Sequence, residues 1–97
     1  MALQTKYKEQ LIEIIHKYLP NAIIYLFGSR AIDKEKAGSD IDIALDIGQE
    51  IPRNLILKIL NDIDDTSIPM KIDLIDMHVV QENLKKDILR EGIKWTN

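Results

Sequence analysis

The sequence predicts an α/β (α+β) protein: a three-stranded mixed sheet with helices packed on one face, in the order αββαβα. Three stretches repeat apolar residues at spacings of three and four, which is the period of an amphipathic helix. Between the first two, Ile23 to Phe27 is a β-branched and aromatic run ending at Gly28, and Asp40 to Leu45 has the period-two pattern of a strand. A third short apolar run, Met70 to Ile75, follows Pro69 and reads as the last strand.

The first helix is expected over about residues 3–18, where Leu3, Tyr7, Leu11, Ile14, Ile15 and Tyr18 form one stripe and Pro20 ends the pattern. The polar stretch from Arg30 to Gly38 reads as a turn or irregular connection, with Lys34-Glu35-Lys36 as a solvated tip whose lysines could also meet an incoming phosphate group. Pro52 suits the first turn of a second helix, which carries Leu55, Ile56, Ile59, Leu60 and Ile63 and fades at Asp64-Asp65. A last helix is expected over about 79–90, presenting Val80, Leu84, Ile88 and Leu89, with Gly92 as its stop. Trp95 follows, either covering the core edge or anchoring a partner.

At 97 residues the expectation is one domain spanning 1–97, with its core drawn from a few well-filled faces. Hydrophobic residues make up 45% and charged residues 30%, a balance that suits a packed soluble globule and not a disordered tail. No apolar stretch is long enough to cross a bilayer, and Met1 to Gln10 lacks the apolar centre of a signal peptide. With no cysteine the chain has neither disulfides nor thiolate metal sites, which fits a cytoplasmic location. A net charge of −3 gives no electrostatic reason for tight binding to nucleic acid. His16 and His78 lack any metal-binding spacing and read as structural or surface residues.

The acids are unevenly placed. Ser39 to Glu50 holds Asp40, Asp42, Asp46 and Glu50 with no basic residue. On a strand, Asp40 and Asp42 point to one face and Ile41, Ile43 and Leu45 to the other, and same-face neighbours lie about 6.6 Å apart. Carboxylates at that spacing can lean toward one cluster of hard cations such as Mg²⁺. An alternating acid pair also serves simply to keep an edge strand soluble, so alone it decides little. Gly28-Ser29 sits at a strand exit, where a glycine admits a ligand to the backbone and the amides and hydroxyl can bind phosphate oxygens. An ordinary turn has the same composition. Arg30 offers either a charge-assisted phosphate contact or a plain exposed arginine. In the third strand Asp73 shares its face with Lys71, opposite Ile72 and Leu74, and can join Asp40 and Asp42 if the two strands are neighbours. Asp76 is placed to start the next loop or cap the last helix.

Taken together, Gly28-Ser29, ten residues, Asp40-x-Asp42 and a later strand carrying Asp73 resemble the nucleotidyltransferase superfamily that includes DNA polymerase β. The wording Phe27-Gly28-Ser29-Arg30-Ala31 and Ser39-Asp40-Ile41-Asp42-Ile43-Ala44 is similar to the minimal nucleotidyltransferase (MNT) family, and the resemblance spans about residues 22–76. It implies that Asp40, Asp42 and Asp73 are catalytic and ligate two Mg²⁺ (or Mn²⁺) ions. It also implies that Gly28, Ser29, Arg30 and Ser39 bind the nucleotide, with ATP as substrate. Family members often carry a glycine where Asp33 stands here, which puts the loop geometry in question.

The family further implies a partner. A chain this short has no second domain to hold an acceptor, and in the minimal family the partner is commonly a HEPN-domain toxin. The resemblance then implies transfer of AMP to a toxin tyrosine by the antitoxin of a type VII-like toxin–antitoxin pair, in a homo- or hetero-oligomer. Neutralisation by occlusion and adenylylation of a small molecule such as an aminoglycoside are the alternatives.

Overall fold

In the computed structural model of the chain, residues 5–36 and 38–96 are described. Helix α1 (Thr5–Tyr18) leads into strand β1 (Ile23–Phe27), then β2 (Ile41–Asp46), α2 (Arg53–Asp64), β3 (Ile72–Asp76), α3 (Glu82–Glu91) and a two-residue strand β4 (Ile93–Lys94). The expected start of the first helix at Leu3 lies outside the described residues.

The sheet has the order β3-β2-β1-β4. β1 runs antiparallel to β2 and to β4, while β2 and β3 are parallel, so the sheet is mixed as expected. It has four strands where three were predicted. Two residues are too few to show alternation, and β4 is defined instead by what it bonds. Ile93 pairs with Leu26 and Lys94 with Tyr25. Just beyond, the Trp95 amide donates to the Ile24 carbonyl at 2.7 Å. The Thr96 hydroxyl then donates to the Ala22 carbonyl and accepts from the Ile24 amide, both at 3.1 Å. Trp95 is partly buried against the main core, which settles its position at the core edge.

α1 and α2 cover one face of the sheet. Leu11 and Ile15 from α1, Ile59 and Ile63 from α2, Ile24 and Leu26 from β1, and Ile41, Ile43 and Leu45 from β2 form one buried cluster. Each such side chain contributes about 1.5–3 kcal/mol on burial. Asp62 of α2 ties the two helices together, accepting from Tyr18 Oη at 2.8 Å and Lys17 Nζ at 3.1 Å. Pro20 ends α1 as expected, since it has no amide to continue the ladder.

The third helix corrects the one-face expectation. Ile88 of α3 packs with Ala44 and Met77, alongside Tyr25, Phe27 and Ile75. Tyr25, Ala44 and Ile75 are paired across the three strands, and they face away from the α1/α2 core. α3 therefore lies on the opposite face, the one that also carries Asp42 and Asp73. It begins at Glu82 rather than near Val79, because the preceding residues form a turn in which the amides of Val79 and Val80 both donate to the Asp76 carbonyl. Gly92 does end the helix, although its φ of −70° is ordinary. A glycine is required there because a Cβ would overlap the Ile88 carbonyl oxygen and approach Leu26 O to 3.2 Å.

Candidate active site

β2 and β3 bring the predicted acids together. Their parallel register sets Asp42 directly beside Asp73, with Phe27 paired to Asp42 on the other side. Both carboxylates are half-buried on the α3 face. Burial pushes the Asp42 carboxyl above its ordinary pKa, reinforced by the charges of Asp73 and Asp40 and a hydrogen bond shared with Asp73. Asp40 thus lies within electrostatic reach, exposed, two residues before Asp42 on the extended chain.

The turn at residue 28 abuts Asp42. Gly28 has φ +77°, and a Cβ there would overlap Asp42 Oδ2 and lie 3.2 Å from Asp42 Cγ. The strand exit, the glycine and the carboxylate are in direct contact, as sequence spacing alone could not establish. Beyond it the Ala31 amide donates to the Gly28 carbonyl at 3.1 Å and the Lys34 amide to the Ser29 carbonyl at 2.8 Å, winding the chain into a compact loop.

Arg30 and Ser39 serve that loop. Arg30 is buried, which overturns the exposed alternative, and its Nε and Nη2 donate to the Ser39 carbonyl at 3.2 and 2.8 Å. The Ser39 hydroxyl accepts from the Lys36 amide at 2.8 Å. Both residues fix the backbone immediately before Asp40. Asp33, where a glycine was expected from the resemblance, has φ +57°. The loop keeps a glycine-type conformation at that position, one that aspartate tolerates better than most residues.

The donor set fits a hard divalent cation, since it consists of carboxylates that repel one another in a partly desolvated place. As the side chains stand, no three His, Cys, Asp or Glu residues among those described converge into a ready-made metal centre. Asp42 and Asp73 are adjacent, and Asp40 is the outlying member. Lys71, which sequence reasoning placed on this face without a role, has its Nζ 3.9 Å from Asp73 Oδ1. Asp76 starts a loop, one of the two roles expected of it. Its carboxylate accepts from the Ile51 amide at 2.7 Å and the His78 amide at 2.8 Å, and it does not cap α3.

Across residues 9–95 the chain matches the family described as Polymerase beta, Nucleotidyltransferase. The chain belongs to that family. No curated protein matches this nucleotidyltransferase in sequence. Among solved structures, a chain of a toxin–antitoxin crystal structure with AMP-PNP has a TM-score of 0.78 at 22% identity, with 93% of this chain and 73% of that one covered. A chain of the complex of a tri-AMPylated Shewanella oneidensis HEPN toxin with MNT antitoxin has a TM-score of 0.69 at 23% identity, over 98% and 74%. The toxin–antitoxin MntA-HepT gives 0.68 at 23%, over 97% and 74%. At these identities the likeness establishes a shared fold. Among the described residues, no helix of this nucleotidyltransferase is long and apolar enough to cross a membrane.

Proposed function

We propose that this nucleotidyltransferase moves AMP from ATP to a hydroxyl, a tyrosine of a HEPN-type partner protein, and that this modification neutralises the partner. The observation that carries the proposal is the contact of Gly28 with Asp42, itself paired with Asp73, because it sets a strand-exit turn of the kind that suits phosphate beside two carboxylates. The family supplies the reaction class. The neighbours of the same fold are toxin–antitoxin complexes, one with AMP-PNP and one with an AMPylated HEPN toxin, and they supply the candidate substrate and acceptor.

In this scheme the backbone amides after Gly28 and the Ser29 hydroxyl hold the β- and γ-phosphates, and Arg30 and Ser39 hold the loop that presents them. Asp40, Asp42 and Asp73 would hold Mg²⁺, which supplies charge neutralisation at the phosphates when bound. Asp73, on the flank of Asp42 away from Gly28, orients the acceptor hydroxyl and accepts its proton. The oxygen then displaces pyrophosphate in line at the α-phosphorus. Positioning and electrostatics provide the acceleration, with no covalent enzyme intermediate. In this scheme the partner presents the acceptor hydroxyl.

The test is incubation of the purified chain with α-labelled ATP, Mg²⁺ and a co-produced HEPN protein, with Asp42→Asn in parallel. Label on the partner that depends on Asp42 supports transfer. A stable complex that forms without label, with Asp42→Asn neutralising as well as the native chain, refutes it in favour of occlusion.

A further inference from the structure

On the flank of Gly28 away from Asp73, a groove of about 270 Å³ opens between the end of β1 and α3. Phe27, Ile32, Leu84 and Ile88 line it, and Gly28 belongs both to the groove and to the contact with Asp42. Asp87 and Glu91 add carboxylates to its α3 side. Ile32 and Leu84 are 41% and 39% exposed, apolar surface left in water at the edge of the site. We propose that this groove holds the nucleobase of the incoming nucleoside triphosphate, and that it favours a purine.

The inference rests on the nucleotidyl-transfer reading and extends it to base preference. Position is the first argument. Across the sheet the order is Asp73 on β3, Asp42 on β2, Phe27 and Gly28 on β1, then the groove. An in-line reaction sets the pyrophosphate, held at the Gly28 turn, opposite the acceptor on the Asp73 flank, and the groove is the apolar space adjoining that turn where the base attached to the same α-phosphate can lie. Size is the second. Pockets that enclose whole drug-sized ligands run to about 300–1,000 Å³, so this groove suits a base with the sugar and phosphates outside. Charge is the third. Asp87 and Glu91 carboxylates repel a phosphate chain but accept an uncharged heterocycle, and both are paired with Arg90, at 2.7 and 3.0 Å. The Phe27 ring and the aliphatic residues beside it suit a flat π-face, and the larger purine covers more of them.

The experiment is calorimetric binding of ATP, UTP and tripolyphosphate to the full chain in Mg²⁺, repeated with Leu84→Gln and Ile32→Gln. These exposed positions lie on α3 and on the loop after β1, so one misfolded variant does not decide the outcome, and melting curves verify both. ATP is expected to bind about tenfold tighter than tripolyphosphate and tighter than UTP. Each variant should weaken ATP about fivefold and leave tripolyphosphate unchanged. If ATP binds no tighter than tripolyphosphate, or folded variants bind ATP like the native chain, the groove assignment is overturned while the transfer reading stands. If the native chain binds neither compound, the phosphate turn and the transfer reading fall together with it.

Discussion

Replacing Gly28 with alanine tests whether the strand-exit turn and the Asp42 carboxylate form one unit. Two costs arise. Residue 28 has φ +77°, and an L-residue held in that left-handed region costs about 1–2 kcal/mol. The new Cβ also overlaps Asp42 Oδ2, so the carboxylate must rotate off its preferred position, at about 0.5–1.5 kcal/mol. The sum is about 1.5–3.5 kcal/mol, a fall in melting temperature of roughly 6–28 °C for a domain of this size. Gly48→Ala is the matched control, because its φ is +83° and no atom lies within 4 Å of the added Cβ. It should lose about 1–2 kcal/mol from the backbone term alone. Scanning calorimetry with and without Mg²⁺ separates the two. Mg²⁺ held by the acids is expected to raise the melting temperature of the native chain, and Gly28→Ala should fall further than Gly48→Ala and lose that rise, which Gly48→Ala keeps. Equal losses in both variants, with the Mg²⁺ response intact in each, would refute the coupling of turn to carboxylate.

Other outcomes follow from the same packing and charges. Asp42 is raised above the ordinary carboxylate range, first by burial and then by Asp73 and Asp40, so its ionised form opposes folding at neutral pH and the penalty is relieved as pH falls through its raised pKa. Asp42→Asn should therefore raise the melting temperature at pH 7 in chelator while abolishing nucleotide transfer, and a lower melting temperature would contradict the repulsion. Asp46 has the opposite sign. The Gly48 amide, followed by His78, holds it below the usual range, so it stabilises above the unfolded pKa and that contribution disappears as pH drops through its lowered value. Urea melts of Asp46→Asn should show a deficit at pH 7 that vanishes at the acid end. Gly92→Ala forces a methyl group onto the Ile88 carbonyl oxygen and should cost about 1–3 kcal/mol, with hydrogen exchange quickening first at Trp95, whose amide closes β4 onto β1.

That Asp42 and Asp73 stand opposite the buried isoleucines of their strands was legible in the sequence because a strand has period two, whereas Asp40, expected as the first residue of the second strand, precedes β2. The adjacency of Asp42 and Asp73 was not, since their parallel pairing depends on β2 and β3 being neighbours. Glycine at 28 was legible as a strand exit, whereas its contact with Asp42 Oδ2 required the antiparallel register of β1. Of the two readings open for Arg30, a phosphate contact or plain exposure, its burial removes the second. Its guanidinium donates twice to the Ser39 carbonyl, and no pattern in the sequence announces such a bond.

The placement of α3 was the largest departure, and the sequence did hold a sign of it. A helical stripe tells that one side is buried but not which face of a sheet buries it. The strands carried that information. Tyr25 and Phe27 alternate with Ile24 and Leu26, so β1 is apolar on both faces, and Ala44 interrupts the aspartates at 42 and 46 on the outer face of β2. A sheet with apolar residues on both sides needs cover on both. β3 and β4 stand at opposite edges, so the chain must cross β2 and β1 between them, and the other face is already filled by α1 and α2. α3 makes that crossing over Ala44, where a small residue lets Ile88 approach. The consequence reaches the chemistry. The outer face is divided into an apolar half beneath α3 and an acidic half left open beside it, and the boundary runs along Phe27 and Gly28. The chain thereby keeps apolar packing on both sides of its sheet and still leaves Asp42 and Asp73 partly open to solvent.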